Sequence, residues 1–352
     1  MFTHPKSPLA GRALLAGLVM LGLAACQPAA QAEVPGSGGS GGAGGAVVTT
    51  TTAAPAVTTT TAAPITPTTT TTTAVPSGLA GWKLVGGDEF NDTALDGSRW
   101  QPYHSNYGSS NLELECNTPN NVSESAGSLR IVAKKQAVTC PSGGAMNYTS
   151  GFVGSRETGT YYPRYARFEM RAKLPHAQGL WPAFWLRHHN GAGTAEVDIM
   201  EYFHSQVPGK TTQTLHLDGV SNVSKKTTAF ENPANKPGFH TWAVEITPDP
   251  AGVRFTFYVD DVQVHTYVDA KHAWTSSADA ASTWDIALNL AVGGRWVGSP
   301  DGTLGYLDQL NRCSIAGTAP GSCSTSGINR VDWSDPADET YQIDYVRVYT
   351  PA

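Results

Sequence analysis

Three carboxylates lie close together in the middle of the chain. The segment Glu196–Glu201 reads Glu-Val-Asp-Ile-Met-Glu. Alternate side chains of a β-strand point to opposite faces, so Glu196 and Asp198 share one face. Strict alternation would turn Glu201 to the other face, and one extra residue, a β-bulge at Ile199–Met200, returns it to the carboxylate face. The segment therefore predicts a row of acids on one face of a sheet and apolar side chains on the other.

Such a row of acids suggests glycoside hydrolysis. Like charges in a row repel one another, so such a row suggests that the acids serve a function. Two carboxyl groups flanking a sugar bond are the usual catalytic groups of glycosidases. An exposed strand with a solvated acidic face is the alternative, but the flanking sequence is rich in Trp rather than Lys. A calcium-binding loop does not fit, because Val, Ile and Met occupy positions where such loops carry Gly, Asn and Asp.

The acidic segment and several further blocks resemble the bulged branch of glycoside hydrolase family 16. That branch contains laminarinases (endo-β-1,3-glucanases), agarases and carrageenases, and the resemblance extends from about Trp82 to Tyr349. The other blocks are Asp88–Phe90, Phe168–Pro175, Gly179–Leu186, Phe257–Asp260, Leu288–Gly294 and Asp344–Tyr349. The family fold is a β-jelly roll of two curved antiparallel sheets with a concave substrate cleft.

The strand signals independently predict an all-β sandwich or barrel over about residues 79–352. Arg167–Leu174 alternates charged and apolar side chains, as a strand with one wet face does. Asp260–Asp261 lies at a predicted hairpin turn, and no long stretch of helical period stands out. The other predicted strands are Thr241–Ile246, Val253–Val259, Val262–Tyr267, Ile286–Val292 and Gln342–Tyr349.

Residues 1–78 read as a targeting and tethering region. Lys6 and Arg12 precede an apolar run that ends before Cys26, which predicts a secretory signal and is short for a membrane span. Leu23–Cys26 resembles a bacterial lipobox, whose Cys is lipidated; an ordinary signal with nearby cleavage is the alternative. Residues 27–78 are rich in Gly and Ser, then in Thr and Pro, and predict a disordered linker. We expect an exported lipoprotein on the outer face of a membrane, or a secreted form released from it.

The remaining cysteines and the charge limit the choice of partners. Four cysteines remain once Cys26 is assigned to the anchor, and an even number in an exported protein predicts disulfides. The local pairings are Cys116 with Cys140 and Cys313 with Cys323; free buried thiols are the alternative. Their spacings do not fit a zinc site. The net charge of −6, without a basic cluster, argues against nucleic acid.

The resemblance assigns a role to each acid. Glu196 matches the nucleophile, Glu201 the acid/base, and Asp198 the residue that adjusts the protonation of both. Such a pair retains anomeric configuration and needs its carboxyl groups roughly 5 Å apart. Mutual repulsion in a partly dry cleft raises one pKa above the other. No cofactor is expected for catalysis.

Aromatic and polar residues are expected to bind sugar. Trp181 and Trp185 share one face in a regular strand and can stack on pyranose rings, with core packing as the alternative. His216 matches a cleft histidine of the family, although a lone His is more often structural. The further sugar-binding candidates are Arg156, Trp296 and Asn106, and the opposite rim of the cleft is expected to be lined by Asn106, Asn111 and Glu113.

The resemblance also implies one structural calcium ion. Its oxygen ligands would come from Glu89, Gly127 and Asp344, and oxygen ligands suit calcium. The alternative is that both acids are ordinary surface residues.

The leading prediction is a monomeric, membrane-tethered retaining endo-β-1,3-glucanase that acts on a laminarin-like β-glucan. A relative that cleaves β-galactan, agar or another wall polysaccharide is the runner-up, because a fold does not fix a substrate. Many laminarinases have Asn where this chain has Arg295, so the sugar contact at this position is expected to differ from theirs. A transglycosylase is a third reading. A non-catalytic glucan-binding lectin is a fourth, and the intact acidic signature argues against it.

Overall fold

Two eight-stranded sheets form most of the described chain. The computed structural model describes residues 79–190, 193–203, 208–232, 238–272, 274, 282–319 and 321–352. Cys26, the predicted signal and the predicted linker lie outside these residues, so what we expect of them stays a prediction. Within the described residues, no helix is long and apolar enough to cross a bilayer.

The strands are short to medium in length and follow one another through tight turns. In chain order they are β1 Trp82–Asp88, β2 Gln101–Pro102, β3 Glu115–Asn117, β4 Val122–Glu124, β5 Leu129–Val132, β6 Val138–Cys140, β7 Gly144–Met146, β8 Tyr148–Ser150, β9 Phe152–Gly154, β10 Tyr162–Pro163, β11 Ala166–Lys173, β12 Leu180–His189, β13 Ala195–Glu201, β14 Lys210–Leu217, β15 Val220–Ala229, β16 His240–Asp249, β17 Gly252–Val259, β18 Val262–Asp269, β19 Thr283–Val292 and β20 Thr340–Pro351. The described helices are α1 Gly305–Ala316 and α2 Pro336–Glu339, with 3₁₀ turns at Ser109–Asn111 and Pro119–Asn121.

The two sheets have similar antiparallel orders. The first, which we call the β11 sheet, runs β18-β17-β16-β11-β20-β5-β4, with β1 also paired to β20. The second, the β13 sheet, runs β15-β14-β13-β12-β19-β9-β2, with β10 also paired to β19. The predicted β-jelly-roll sandwich is confirmed.

The core lies between the sheets and consists of alternate side chains from each. Burying one large apolar side chain stabilises the fold by about 1.5–3 kcal/mol, so this layer is the main source of stability. Fully buried members from the β11 sheet include Phe168, Met170, Trp242, Val244, Phe255 and Phe257, and those from the β13 sheet include Phe184, Leu186, Val197, Ile199, Leu215 and Leu288.

The face of β11 that was predicted to be solvent-exposed is polar but buried. Arg167 and Glu169 lie on the side away from the core, yet each is less than a tenth exposed. The Arg167 guanidinium pairs with Glu169 at 2.7 Å and with Glu245 at 2.9 Å. Tyr345 donates a hydrogen bond to Glu169 at 2.9 Å. Neighbouring side chains therefore cover this ion-paired cluster, and its outward direction does not expose it to solvent.

The predicted strands and the hairpin at Asp260–Asp261 are present. Both aspartates have positive φ, 49° and 61°, as a turn that joins two twisted strands requires. The Asp260 carboxylate accepts a hydrogen bond from the Thr241 amide at 2.9 Å and contacts His240 Nδ1 at 2.7 Å. These bonds hold the turn in place without a glycine.

Helix α1 was not predicted. Its polar sequence, Gly-Tyr-Leu-Asp-Gln-Leu-Asn-Arg-Cys-Ser-Ile-Ala, has only a weak helical period. The usable signal lies at its end, where Gly317 adopts φ 65° and its amide bonds the Cys313 and Ser314 carbonyls, a common helix stop.

Both predicted disulfides form. Cys116 of β3 bonds Cys140 of β6, and Cys313 of α1 bonds Cys323 in the loop that follows. Free thiols are therefore excluded for these four residues. The first bridge joins residues 24 apart in sequence, and the second joins residues 10 apart.

Candidate active site

A bulge in β13 turns all three acids to one face. On the β12 side, Phe184 pairs with Met200 and Trp185 with Asp198, which leaves Ile199 unpaired. On the β14 side, the register also shifts between Asp198 and Glu201. The extra residue predicted at Ile199–Met200 is therefore present, and Glu196, Asp198 and Glu201 face away from the core.

The acids lie between two adjacent cavities of about 470 and 490 Å³. Both cavities are lined by the three acids, Trp181 and Asn111. We call the first the Trp185 cavity; it adds Asn106, Tyr107, Gly108, Ser109, Ser110, Glu113, Ala183, Trp185 and Asn289. We call the second the His216 cavity; it adds Phe203, Thr214, His216, Ser221, Asn222, Lys225 and Trp296. Because both cavities contain the three acids, a long bound ligand can extend from the acids in both directions.

Burial separates the acids by pKa. Burial raises the pKa of Glu196, while the charges of His216 and Arg187 oppose the rise. Burial raises the pKa of Glu201 well above its usual range, and the charge of Asp198 adds to it. Glu196 therefore ionises first and Glu201 keeps its proton longer, which is the order that a nucleophile and an acid/base need.

Asp198 is the most enclosed of the three acids. Its side chain is 4 % exposed, and its buried Oδ2 lies 3.0 Å from His216 Nε2. Burial, together with the charge of Glu196, raises its pKa well above the usual range. Repulsion among the three acids therefore opposes the ionisation of all of them at once.

His216 on β14 approaches two of the acids. Its Nε2 lies 3.0 Å from Asp198 Oδ2 and 3.9 Å from Glu196 Oε1. Its Nδ1 accepts a hydrogen bond from the Asn222 amide at 3.4 Å, so a neutral ring carries its proton on Nε2, toward the acids. The ligand atoms of Glu196, Asp198 and His216 lie within 4.8 Å of one another, a spacing that can also hold a metal ion.

The two predicted tryptophans line the cleft in different ways. Trp181 is partly exposed to both cavities, and its buried Nε1 has no hydrogen-bond partner among the described residues. Trp185 is only 8 % exposed, donates Nε1–H to Asn289 at 2.8 Å and packs edge-on against Phe152. Trp185 is therefore both a wall of the cleft and a packed residue, and Trp181 has the freer ring.

The remaining predicted sugar-binding residues divide into two groups. Asn106 lines the Trp185 cavity and Trp296, which is 38 % exposed, lines the His216 cavity. Arg156 lines neither cavity, because its guanidinium pairs with the buried Asp285 at 2.7 Å. A direct sugar contact by Arg156 is therefore not favoured by its position.

Several lining residues were missed from the sequence. Asn289 interrupts an apolar run in β19, and that interruption was a usable signal. Tyr107, Phe203 and Lys225 also line the cleft. Nothing in their local sequence distinguishes these three from ordinary loop or surface residues.

The residues predicted to bind calcium lie close together. Glu89 and Asp344 line a cavity of about 20 Å³ with Asn91, and Gly127 lies beside the Asn91 side chain. Arg347 contacts both Glu89 oxygens, at 2.7 and 2.8 Å, and Arg171 pairs with Asp344 at 2.6 Å. The two carboxylates are thus already neutralised, so charge balance does not require an ion here. Calcium binding stays a prediction.

Comparison with known proteins gives one consistent result. The profile of glycosyl hydrolases family 16 matches residues 100–306. Glucan endo-1,3-beta-glucosidase A1 of Niallia circulans is 28 % identical over an alignment of 300 residues, and the match covers 77 % of this chain and 38 % of that protein. Glucan endo-1,3-beta-glucosidase of Cryptopygus antarcticus is 32 % identical over an alignment of 234 residues, and the match covers 62 % of this chain and 83 % of that protein. The chain thus spans well under two thirds of the first relative and most of the second.

Solved structures give the same result. The endo-beta-1,3-glucanase of Pyrococcus furiosus matches with a TM-score of 0.57 and 27 % identity, over 77 % of this chain and 95 % of that one. The laminarinase catalytic domain of Thermotoga maritima matches with a TM-score of 0.58 and 26 % identity, over 77 % of this chain and 99 % of that one.

Proposed function

Because this chain belongs to glycosyl hydrolases family 16, we propose that it is a retaining endo-glycoside hydrolase that cleaves internal β-1,3 bonds of a laminarin-like β-glucan. The observation that carries the proposal is the bulged row of acids in the cleft, where the pKa of Glu201 is raised further than that of Glu196. The relatives named glucan endo-1,3-beta-glucosidases support the choice of a β-1,3-glucan.

The reaction follows from the protonation order. Glu196, ionised, attacks the anomeric carbon while Glu201 gives its proton to the leaving oxygen, so the glycosidic bond breaks and a glycosyl-enzyme ester forms. Glu201, now ionised, takes a proton from water, whose oxygen attacks the same carbon and releases Glu196. Two inversions at one carbon retain its configuration.

The lining of the cleft supports binding of a long sugar chain. The Trp185 cavity and the His216 cavity meet at the acids, so sugar units fit on both sides of the bond that is cut. Trp181 borders both cavities and can stack on the unit nearest the acids. An aromatic face of this kind adds on the order of 1 kcal/mol to binding.

The experiment that tests the substrate is reducing-sugar release from laminarin, mixed-linkage glucan, agarose and galactan, with Glu196→Gln as the blank. The proposal expects laminarin to be cut internally to short oligosaccharides. Cleavage of agarose or galactan without cleavage of laminarin would replace it with the runner-up. Longer products than the substrate would favour transglycosylation.

We further propose that residues 1–78 tether the catalytic region to the outer face of a membrane through lipidated Cys26, and that the protein acts as a monomer. The supporting observation is the Leu-Ala-Ala-Cys sequence at Leu23–Cys26, followed by a low-complexity linker. Cys26→Ser should move the protein from the membrane fraction to the soluble fraction without loss of laminarin hydrolysis. A Ser variant that stays in the membrane fraction contradicts the anchor.

A further inference from the structure

A second pair of acids lies in the cleft wall and has no part in the mechanism above. Glu113 lines the Trp185 cavity, and Glu115, two residues later, is 2 % exposed behind it. In the described part of the chain, neither carboxyl forms an ion pair with Lys, Arg or His. Two enclosed acids without a cation need protons or hydrogen bonds to offset their burial.

Hydrogen bonds define how this pair is arranged. Asn111 Nδ2 donates to Glu113 Oε1 at 3.1 Å, and the Val292 amide donates to Glu115 Oε2 at 2.8 Å. The two carboxyl groups also lie close enough to each other for a direct hydrogen bond. A hydrogen bond between two carboxyls requires a proton on one of them. Glu115, which is enclosed, is the better place for that proton, and Glu113, which faces the cavity, is then the acceptor.

The backbone around the pair is fixed. The Leu114 amide donates to the Val292 carbonyl at 2.8 Å, and the Arg295 amide donates to the Asn111 carbonyl at 3.0 Å. Gly108 adopts φ 95°, and a Cβ at that position would lie 1.7 Å from Glu113 Oε2. Glycine is therefore needed for the Glu113 carboxyl to occupy its place in the wall.

Building on the proposed function, we propose that Glu113 is a sugar-binding residue of the Trp185 cavity, and that Glu115 is a protonated positioning residue behind it. Ionised Glu113 accepts one hydrogen bond from Asn111, one from the Glu115 carboxylic acid and one from a hydroxyl of the bound sugar. Hydrogen bonds to a charged acceptor are stronger than those to a neutral one. The sugar therefore binds more tightly once Glu113 has lost its proton.

The groups around the pair set where this change occurs. Burial raises the pKa of Glu113 to about 7, and burial together with the charge of Glu113 raises the pKa of Glu115 well above its usual range. Tyr107 lies near Glu113 in the preceding loop. Burial raises the pKa of Tyr107, the charge of Arg187 of β12 opposes this rise, and the charge of Glu196 of β13 adds to it. The Arg295 guanidinium donates a hydrogen bond to the Ser110 carbonyl at 3.4 Å. Glu113 thus ionises as the pH rises through about 7, and affinity rises in the same direction.

The test is equilibrium binding of laminarihexaose to full-length Glu196→Gln protein by titration calorimetry at several pH values. Affinity should rise roughly three- to tenfold from about pH 6 to about pH 8, the difference between a neutral and a charge-assisted hydrogen bond. The double variant Glu196→Gln/Glu113→Gln should lose this rise. Any pH dependence of binding that comes from Glu201 is present in both the single and the double variant, so it cancels in the comparison. Glu196→Gln/Glu115→Gln should keep it, because the Gln amide replaces the proton as donor to Glu113.

Two results would overturn the inference. One is an equal rise in affinity with and without Glu113; the other is a rise that disappears in the Glu115→Gln form while its melting temperature is retained. If wild-type protein cleaves another glycan of the panel and not laminarin, the proposed substrate fails first. The same titration with an oligosaccharide of the cleaved glycan then tests Glu113 separately.

Discussion

Unequal burial of similar side chains gives the acids of the cleft different pKa shifts. Glu196 has a side chain 44 % exposed and lies near His216, whereas Asp198 is almost fully enclosed. Desolvation disfavours the charged form of a carboxyl group. The more exposed acid is therefore the one that is available as an ionised nucleophile.

Glu196→Gln and Glu201→Gln should each lower kcat on the best glycan by at least about a hundredfold, because each removes a group that forms or transfers a bond. Both side chains border an open cleft, so thermal melts followed by circular dichroism should change little. Glu157→Gln, a carboxylate outside the lining of both cavities, is the matched control. Near-normal activity in either cleft variant contradicts the assignment.

His216→Asn should shift the acid limb of the kcat/KM profile to higher pH. Activity is lost as the pH falls through the pKa of Glu196, which must be ionised, and His216 holds that pKa down. Without this charge the limb should rise by up to about one pH unit. His189→Asn, outside both cavity linings, is the control. An unshifted or lower limb argues against an electrostatic role for His216.

The sequence located residues of the cleft where a local pattern reflects the position of a side chain in the strand. Glu196, Asp198 and Glu201 were identified by alternation plus one bulge, and Trp181 and Trp185 by their shared face. Tyr107 and Lys225 were not identifiable from sequence. The path of a loop brings Tyr107 to the cleft, and the pairing of β15 with β14 brings Lys225 there. The link between Glu113 and Glu115 depends on burial, which a sequence does not state.

At the scale of strands, the bulge in β13 determines the position of Glu201. Deleting Met200 leaves Glu-Val-Asp-Ile-Glu, in which strict alternation places all three acids on the cleft face without a bulge. The deletion variant should therefore keep measurable hydrolysis, while the loss of the buried Met200 side chain should lower its melting temperature. Met200→Leu keeps the bulge and nearly the same volume, so it should lose less than about 1.5 kcal/mol of stability. A deletion variant that folds but has no activity would contradict this explanation and show that the extra residue itself is required.

The elements that sequence missed have weak periodic signals. Helix α1 has few apolar residues, and tertiary contacts hold it: Asp308 pairs with Arg330 at 2.8 Å, and buried Asn311 donates to the Trp296 carbonyl. Such contacts join residues distant in sequence. In contrast, β11, β16, β17 and β20 were recognised because their alternation is local and regular.

At the scale of the whole molecule, the disulfides add to a core that is already large. Removing Cys116–Cys140, whose partners are 24 residues apart, by paired Ser substitutions should lower the free energy of unfolding by about 3 kcal/mol. Removing Cys313–Cys323, whose partners are 10 residues apart, should cost less because it closes a shorter loop. Urea unfolding measures both. A larger loss from the shorter loop would contradict the chain-entropy explanation.

The all-β class was predictable because many short alternating strands separated by turn residues have few other solutions. The sandwich was predictable in more detail from the family blocks than from the strand signals alone. Burial of Arg167 and Glu169 on the outer face was not predictable. It requires Glu245 and Tyr345 to arrive from distant strands and complete their hydrogen bonds.

The most direct test of the account is the anomeric configuration of the first product from laminarin, followed by proton NMR in real time. The account predicts that the β-anomer of short oligosaccharides appears first and that the α-anomer follows only by mutarotation. First appearance of the α-anomer would contradict double displacement by Glu196 and Glu201. No product from laminarin, with product from another glycan, would contradict the substrate.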